Sequence, residues 1–197
     1  AYHEAGHAVV MNALAEADPV HKVSIIARGM AGGYTVALPE EERTLMSRKK
    51  IFAEMVSLLG GRAAEQIVFD EITSGAANDI ERVTKIARSM VTRLGMSDLL
   101  GPMVYGQKEE LIFLGREISE QRDYSEAVAE KIDQEVRRLV SEAYDQARQI
   151  LTTYRAQLDA VANKLLEVET LSREEFEKIF PPPQPKKTGT PTLVPQE

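Results

Sequence analysis

His3, Glu4 and His7 fall in the spacing H-E-x-x-H, and that spacing has a defined geometry only on an α-helix. Positions i and i+4 lie one turn apart on the same helical face, so two imidazoles there can reach one metal ion at ~2.0–2.1 Å. Glu4 is rotated away from that line. From there a carboxylate can touch a water at the metal, take its proton and pass it to a leaving amine. The neighbours Ala8, Val9, Val10 and Ala13 are small and apolar, which marks a buried helix, and buried polar groups require partners. Only 3 histidines occur in the chain and two of them stand here, which argues against a chance pairing on a solvated face. Gly6, inside the helix, carries a propensity cost that close approach to another element or to a substrate would justify.

A catalytic zinc takes three protein ligands and keeps a further position open. The extended pattern H-E-x-x-H-x-x-G-x-x-H is not met, because Val10 and Ala13 stand where Gly and His would. His21 follows Asp18-Pro19 at the start of a strand-like run and reads as structural. The chain has no cysteine, so thiolate ligands, disulfides and thiol nucleophiles are excluded and the third ligand falls to a carboxylate. Two candidates stand open. Asp79 follows Gly75-Ala76-Ala77-Asn78 at a helix entry, and Glu65 closes Gly61-Arg62-Ala63-Ala64-Glu65, where small residues permit close packing. A plain N-cap would equally explain Asp79, and a solvated charge or an ion pair with Arg62 would explain Glu65.

The rest of the chain reads as mainly α, with a small hairpin or sheet near the N-terminus and a helical bundle toward the C-terminus. Periodicity predicts helices over 1–16, 44–69 and 79–94, then two antiparallel helices over 123–168 broken near Thr152-Thr153. A last short helix starts at Ser172, with Glu175 completing a capping box. Gly60-Gly61 interrupts the second helix and calls for close packing or a break. Strand-like runs at 22–27 and 33–38 are punctuated by Arg28-Gly29 and Gly32-Gly33, while 95–115 reads as irregular. The two runs either pack the first helix or, at an exposed edge, accept an extended peptide by strand addition, and the residues leave both open. From Pro181 the chain is Pro-rich with few large apolar residues, so 181–197 reads as a disordered tail after a domain spanning 1–180. A net charge of −7 without a Lys/Arg-dense face excludes nucleic acid as the main partner. No apolar run approaches the ~20 residues that span a bilayer. The motif begins at the third residue, which predicts a piece of a longer protein.

Four segments then carry a resemblance: Tyr2-His3-Glu4-Ala5-Gly6-His7-Ala8, Asp18-Pro19-Val20-His21-Lys22-Val23, Gly60-Gly61-Arg62-Ala63-Ala64-Glu65 and Thr73-Ser74-Gly75-Ala76-Ala77-Asn78-Asp79-Ile80. They closely resemble the FtsH family. Met90-Val91-Thr92, Gly95-Met96-Ser97, Leu100-Gly101-Pro102 and Phe113-Leu114-Gly115-Arg116 continue the match over most of 1–170. FtsH proteins are membrane-anchored, ATP-dependent zinc metalloproteases that assemble as hexamers, with transmembrane segments, an AAA+ ATPase module and a helical peptidase domain in that order. The resemblance implies that this chain is the last part, a zinc endopeptidase domain acting on unfolded or membrane-extracted polypeptides with one Zn2+ per chain. It implies a homo-hexamer at the cytoplasmic face, touching the membrane only through an N-terminal anchor outside this sequence. ATP would bind only in the separate ATPase module, and no G-x-x-x-x-G-K-[ST] occurs here.

The resemblance also assigns residues. Asp79 becomes the third zinc ligand, Glu65 and Asn78 stand beside the ligands, and Glu65 orients a histidine. Gly33, Tyr34, Thr35 and Val36 become an edge on which substrate backbone pairs. The rival reading is a peptidase-like module without a working site that serves as a hexamerisation platform. The intact set of His3, Glu4, His7 and Asp79 speaks against it.

Overall fold

The computed structural model describes residues 1–27, 32–38, 45–108, 120–121 and 123–186. The turn at Arg28-Gly29, the Phe113-Leu114-Gly115-Arg116 motif and the tail beyond Lys186 lie outside them. Two compact units emerge, Ala1–Val83 with Glu142–Glu197 and Thr84–Ser141. The candidate residues all belong to the first.

That unit is organised around α1 (Tyr2–Ala13), whose buried positions are mostly Ala, Val and Gly. Small side chains let α1 approach α2 (Arg48–Phe69) closely. A methyl group on Gly6 would stand 2.4 Å from the Gly60 carbonyl oxygen and 2.6 Å from the Ala64 methyl. One on Gly60 would stand 2.7 Å from the Gly6 carbonyl oxygen. The glycine pair therefore does not interrupt α2, which runs unbroken through it: close packing is the reason for the glycines, and the break is absent. Gly6→Ala should destabilise the chain by about 1–3 kcal/mol despite its better helix propensity, because overpacking against backbone outweighs the ~1 kcal/mol that alanine gains. Urea unfolding tests this, and a stabilised variant would contradict the packing account.

α2 begins later than its periodicity suggests because Ser47 caps it, accepting from the Lys50 amide at 3.2 Å, and it ends at Asp70 in the left-handed conformation. α1 ends at Ala13, short of the expected residue 16, as Leu14 turns extended. Its terminal carbonyls are met from the far end of the chain. Gln184 donates to Ala13 O at 2.6 Å, and Lys186 Nζ donates to Met11, Asn12 and Leu14 carbonyls at 2.6, 3.0 and 2.8 Å. A cation among the last carbonyls of a helix is favourably placed. The described part of the Pro-rich segment, 181–186, thus packs on α1, although those six residues hold no helix or strand.

β1 (Val20–Ser24) pairs antiparallel with β2 (Tyr34–Ala37), placing Val23 opposite Thr35 and Ser24 opposite Tyr34. A third strand, β5 (Thr170–Ser172), pairs on the other side of β1, giving the order β2-β1-β5. The hairpin expectation is therefore extended by a strand from the distant C-terminal region. A strand of three residues shows no period and leaves no mark in the sequence. Val23 and Leu171 are fully buried, so the central strand is anchored in the core while β2 forms the edge.

α3 (Ala77–Thr92) follows a 3-10 turn at Ser74–Ala76. α4 (Glu126–Thr153) and α5 (Arg155–Val168) are separated at Tyr154, one residue past the expected break. There the Thr152 and Thr153 hydroxyls donate back to the Arg148 and Gln149 carbonyls, which loosens a helix. α6 (Arg173–Ile179) opens with the complete Ser172–Glu175 capping box. Val9, Met55, Leu158, Leu165 and Phe176 fill the core of this first unit.

In the second unit, the irregular stretch after α3 contains one isolated bridge, Ser97 to Gly101. A two-residue β3 (Gln107–Lys108) pairs with β4 (Glu120–Gln121). Buried Glu135 ties this region together, accepting from Ser97 at 2.8 Å and from the Arg138 guanidinium at 2.8 and 3.1 Å. That guanidinium, together with the Ser97 hydroxyl, holds its carboxyl below the usual range against the opposing effect of burial.

Candidate metal centre and active-site cleft

His3 and His7 project from one face of α1 against α2, and Gly61 makes room for them. A methyl there would lie 2.6 Å from the Nε2 atoms of both rings. The two Nε2 atoms are 3.0 Å apart. Asp79, in the first turn of α3, places Oδ2 3.4 Å from His3 Nε2 and 3.3 Å from His7 Nε2. Among the described residues this is the one group of three such side chains that converges on a single point.

The other ring nitrogens decide the tautomers. His3 Nδ1 lies 2.8 Å from Glu65 Oε1, and His7 Nδ1 lies 2.8 Å from the Ser57 carbonyl oxygen. A carboxylate and a carbonyl only accept, so both Nδ1 atoms carry a hydrogen, and in the neutral rings both Nε2 atoms present lone pairs to Asp79. Three lone-pair atoms facing one another repel unless a cation or proton lies between them. Burial alone would depress the His3 imidazole, but the Asp79 and Glu65 carboxylates outweigh it and hold it above its usual value. Burial would likewise raise Asp79, yet a proton on the facing imidazoles, hydrogen-bonded to its carboxylate, holds it well below the carboxylate range. The triangle also has the right size for a metal. Ligands ~2.0–2.1 Å from a tetrahedral zinc stand ~3.3 Å from one another, against observed edges of 3.0, 3.3 and 3.4 Å. The donor set, two imidazoles and a carboxylate, suits zinc.

Glu65 is placed differently from Asp79. Its Oε1 receives the His3 ring hydrogen, and its Oε2 accepts from the Thr73 amide at 3.3 Å and hydroxyl at 3.2 Å. Both oxygens are thus engaged on the far side of the ring, where a carboxylate fixes the orientation of a metal-binding histidine. Thr73 joins Glu65 to the turn that delivers Asp79, since its hydroxyl also accepts from the Gly75 amide at 3.1 Å.

Glu4 faces a cleft of about 1140 Å³ lined by residues of α1, β2, α2 and the start of α3. His3, His7, Asp79, Gly33, Tyr34, Thr35 and Asn78 share this lining, whereas Val36 does not. Asn78 is exposed. His21, exposed on β1, is outside the cleft and the donor triangle. Three participants were not singled out from the sequence for the parts they take. Ser57 acts through its backbone carbonyl, which leaves no mark in a sequence. Thr73 had a signal, the turn-rich run Thr73-Ser74-Gly75. Gly61 had one too, read as a helix interruption rather than as space for two rings.

The fold and this centre define a helical domain built to hold a divalent metal beside a carboxylate that is not one of its ligands, the arrangement used by metal-dependent hydrolases. Comparison with known proteins gives the family. The model of peptidase family M41 matches residues 1–179. An ATP-dependent zinc metalloprotease FtsH 1 of Thermomicrobium roseum is 55% identical over 197 residues, covering 99% of this chain and 30% of that protein. Those named ATP-dependent zinc metalloprotease FtsH from Thermotoga maritima and Chloroflexus aggregans are 53% and 57% identical over 91% of this chain. The chain belongs to peptidase family M41, and it spans about 30% of the length of these relatives.

Proposed function

We propose that this chain hydrolyses peptide bonds as a zinc-dependent endopeptidase, with His3, His7 and Asp79 holding the metal and Glu4 acting as the base. The convergence of two lone-pair nitrogens and one carboxylate oxygen, with edges of 3.0 to 3.4 Å, carries this reading. Zinc would supply Lewis acidity, making a water acidic enough to lose a proton near pH ~7 and polarising the scissile carbonyl. Glu4 takes that proton and returns it to the departing amine nitrogen, so the carboxylate ends unchanged. Glu65 and Ser57 keep the ring hydrogens on Nδ1 and the Nε2 lone pairs toward the metal. The edge strand β2, beside Glu4 and flanking the cleft, offers backbone groups on which an extended substrate pairs, which fixes the scissile bond in register.

The wider reading rests on the relatives' names and on the resemblance in the motifs. Residues 1–180 form the peptidase domain of a longer ATP-dependent protease whose motor delivers unfolded polypeptides, and 181–197 follow it as a tail. The full protein is a homo-hexamer anchored on the cytoplasmic side of a membrane. Among the described residues no helix is long and apolar enough to cross a bilayer. The zinc-loaded chain should degrade an unfolded protein such as casein, lose that activity to a chelator and regain it on adding zinc. A zinc-loaded chain that never cleaves casein but forms rings would instead establish the assembly-platform reading.

A further inference from the structure

Glu4 is held by more than its own helix. Thr35 Oγ1 lies 2.9 Å from Glu4 Oε2 and 3.2 Å from the Glu4 backbone carbonyl, so its single hydroxyl hydrogen is directed at this one residue. Two residues earlier, Gly33 closes on the same carboxylate. A methyl on Gly33 would stand 2.8 Å from Glu4 Cγ, 2.9 Å from Glu4 Oε1 and 2.8 Å from the Ser24 carbonyl oxygen. Positions i and i+2 of an extended chain share a face, so Gly33 and Thr35 meet the carboxylate together, one by close approach and the other by a hydrogen bond.

The support behind them is rigid. Thr35 is paired with Val23, Val23 with Leu171, and both of those apolar side chains are in the core. A free glutamate explores several rotamers. Here one oxygen is occupied by a hydroxyl and the other lies against a glycine, which removes most of that freedom before substrate arrives.

We propose that Gly33 and Thr35 form a seat that fixes the Glu4 carboxylate, with Thr35 as the positioning residue of the general base. The strand then has two duties on different groups: its backbone edge receives the substrate while the Thr35 side chain, turned toward α1, aligns the base. This rests on the metallopeptidase reading, and it assigns Thr35 a side-chain role distinct from substrate contact.

Thr35→Val keeps the branched shape and removes the hydroxyl, whereas Thr35→Ser keeps the hydroxyl. With zinc-loaded chains and an unfolded peptide substrate, Thr35→Val should lower kcat by roughly 10- to 100-fold, the scale of a misaligned catalytic group. KM and zinc content should be unchanged, and Thr35→Ser should restore most of kcat. A second measurement is independent of turnover. With 13C at the glutamate side-chain carboxyls, the Glu4 resonance, identified by its loss in Glu4→Gln, should shift in Thr35→Val and stay in place in Thr35→Ser. A Thr35→Val chain with wild-type kcat and an unmoved Glu4 resonance overturns the seat, as does a rise in KM that serine fails to repair. If Glu4→Gln itself cleaves normally, the metallopeptidase reading fails, and the resonance still decides whether the seat exists.

Discussion

Glu4→Gln should lower peptide-bond hydrolysis by at least ~100-fold while leaving the metal content of the chain unchanged, the loss expected when a positioned general base is removed. The two halves of that expectation come from different atoms. The donor triangle consists of His3 Nε2, His7 Nε2 and Asp79 Oδ2, and no Glu4 atom is part of it. The change therefore takes nothing from the metal. Glutamine has nearly the volume of glutamate, and its amide oxygen can still accept from the Thr35 hydroxyl now 2.9 Å away. What it cannot do is accept a proton at neutral pH or return one to an amine. Zinc analysis beside steady-state cleavage of an unfolded substrate gives both halves in one preparation. A variant that keeps its zinc and cleaves within tenfold of the parent would show that another group takes the proton.

Much of the site could be read from residue order because helical spacing converts directly into geometry. His3 and His7, four apart, had to lie on one face, and the small residues around them had to be buried, so the pair and its helix were legible early. The same logic reached Gly60-Gly61 only halfway. Propensity says that two glycines weaken a helix, but it does not say whether the helix breaks or a neighbour moves in. The answer lies in Gly6, a residue of another helix whose carbonyl stands 2.7 Å from where a Gly60 methyl would be. Likewise the contest between Asp79 and Glu65 could not be closed from either segment alone, because each carboxylate's role depends on which side of the His3 ring it meets. The resemblance favoured Asp79, whose Oδ2 stands 3.4 and 3.3 Å from the two Nε2 atoms, while Glu65 meets the Nδ1 side of His3. The strand β5 and the cap that Lys186 places on α1 were illegible for a related reason. Both join chain ends that are remote in sequence, and a three-residue strand or a lone lysine carries no periodic signal. Where local pattern decides, as at Ser172 and Glu175, the element appears as its residues require.

The two carboxylates can be separated by one comparison. Asp79→Asn should reduce zinc affinity by well over ~100-fold, whereas Glu65→Gln should cost within the ~10- to 100-fold typical of a group that only orients a ligand. Asparagine preserves the shape of Asp79 but removes the charge, and a neutral amide oxygen is a far poorer partner for a divalent ion than a carboxylate. It also removes the anion that now stands 3.3 and 3.4 Å from two lone-pair nitrogens. In Glu65→Gln the amide oxygen can still accept from His3 Nδ1, so the ring keeps its tautomer. The loss falls instead on the contact with Thr73, whose amide would face an NH2 group where Glu65 Oε2 now accepts it. A metal held by His3, His7 and Asp79 would also cross-link α1 to the start of α3, so the same difference should appear in thermal stability. A site-saturating excess of zinc stabilises a folded chain by about 2.7 kcal/mol at 100 times its dissociation constant. The parent should gain a clear rise in Tm from zinc, Glu65→Gln a smaller one at the same concentration, and Asp79→Asn almost none. Zinc competition against a chelator provides the affinity order directly. The reverse order, with Glu65→Gln losing the metal and Asp79→Asn keeping it, would put Glu65 on the metal and leave Asp79 as the cap of its helix.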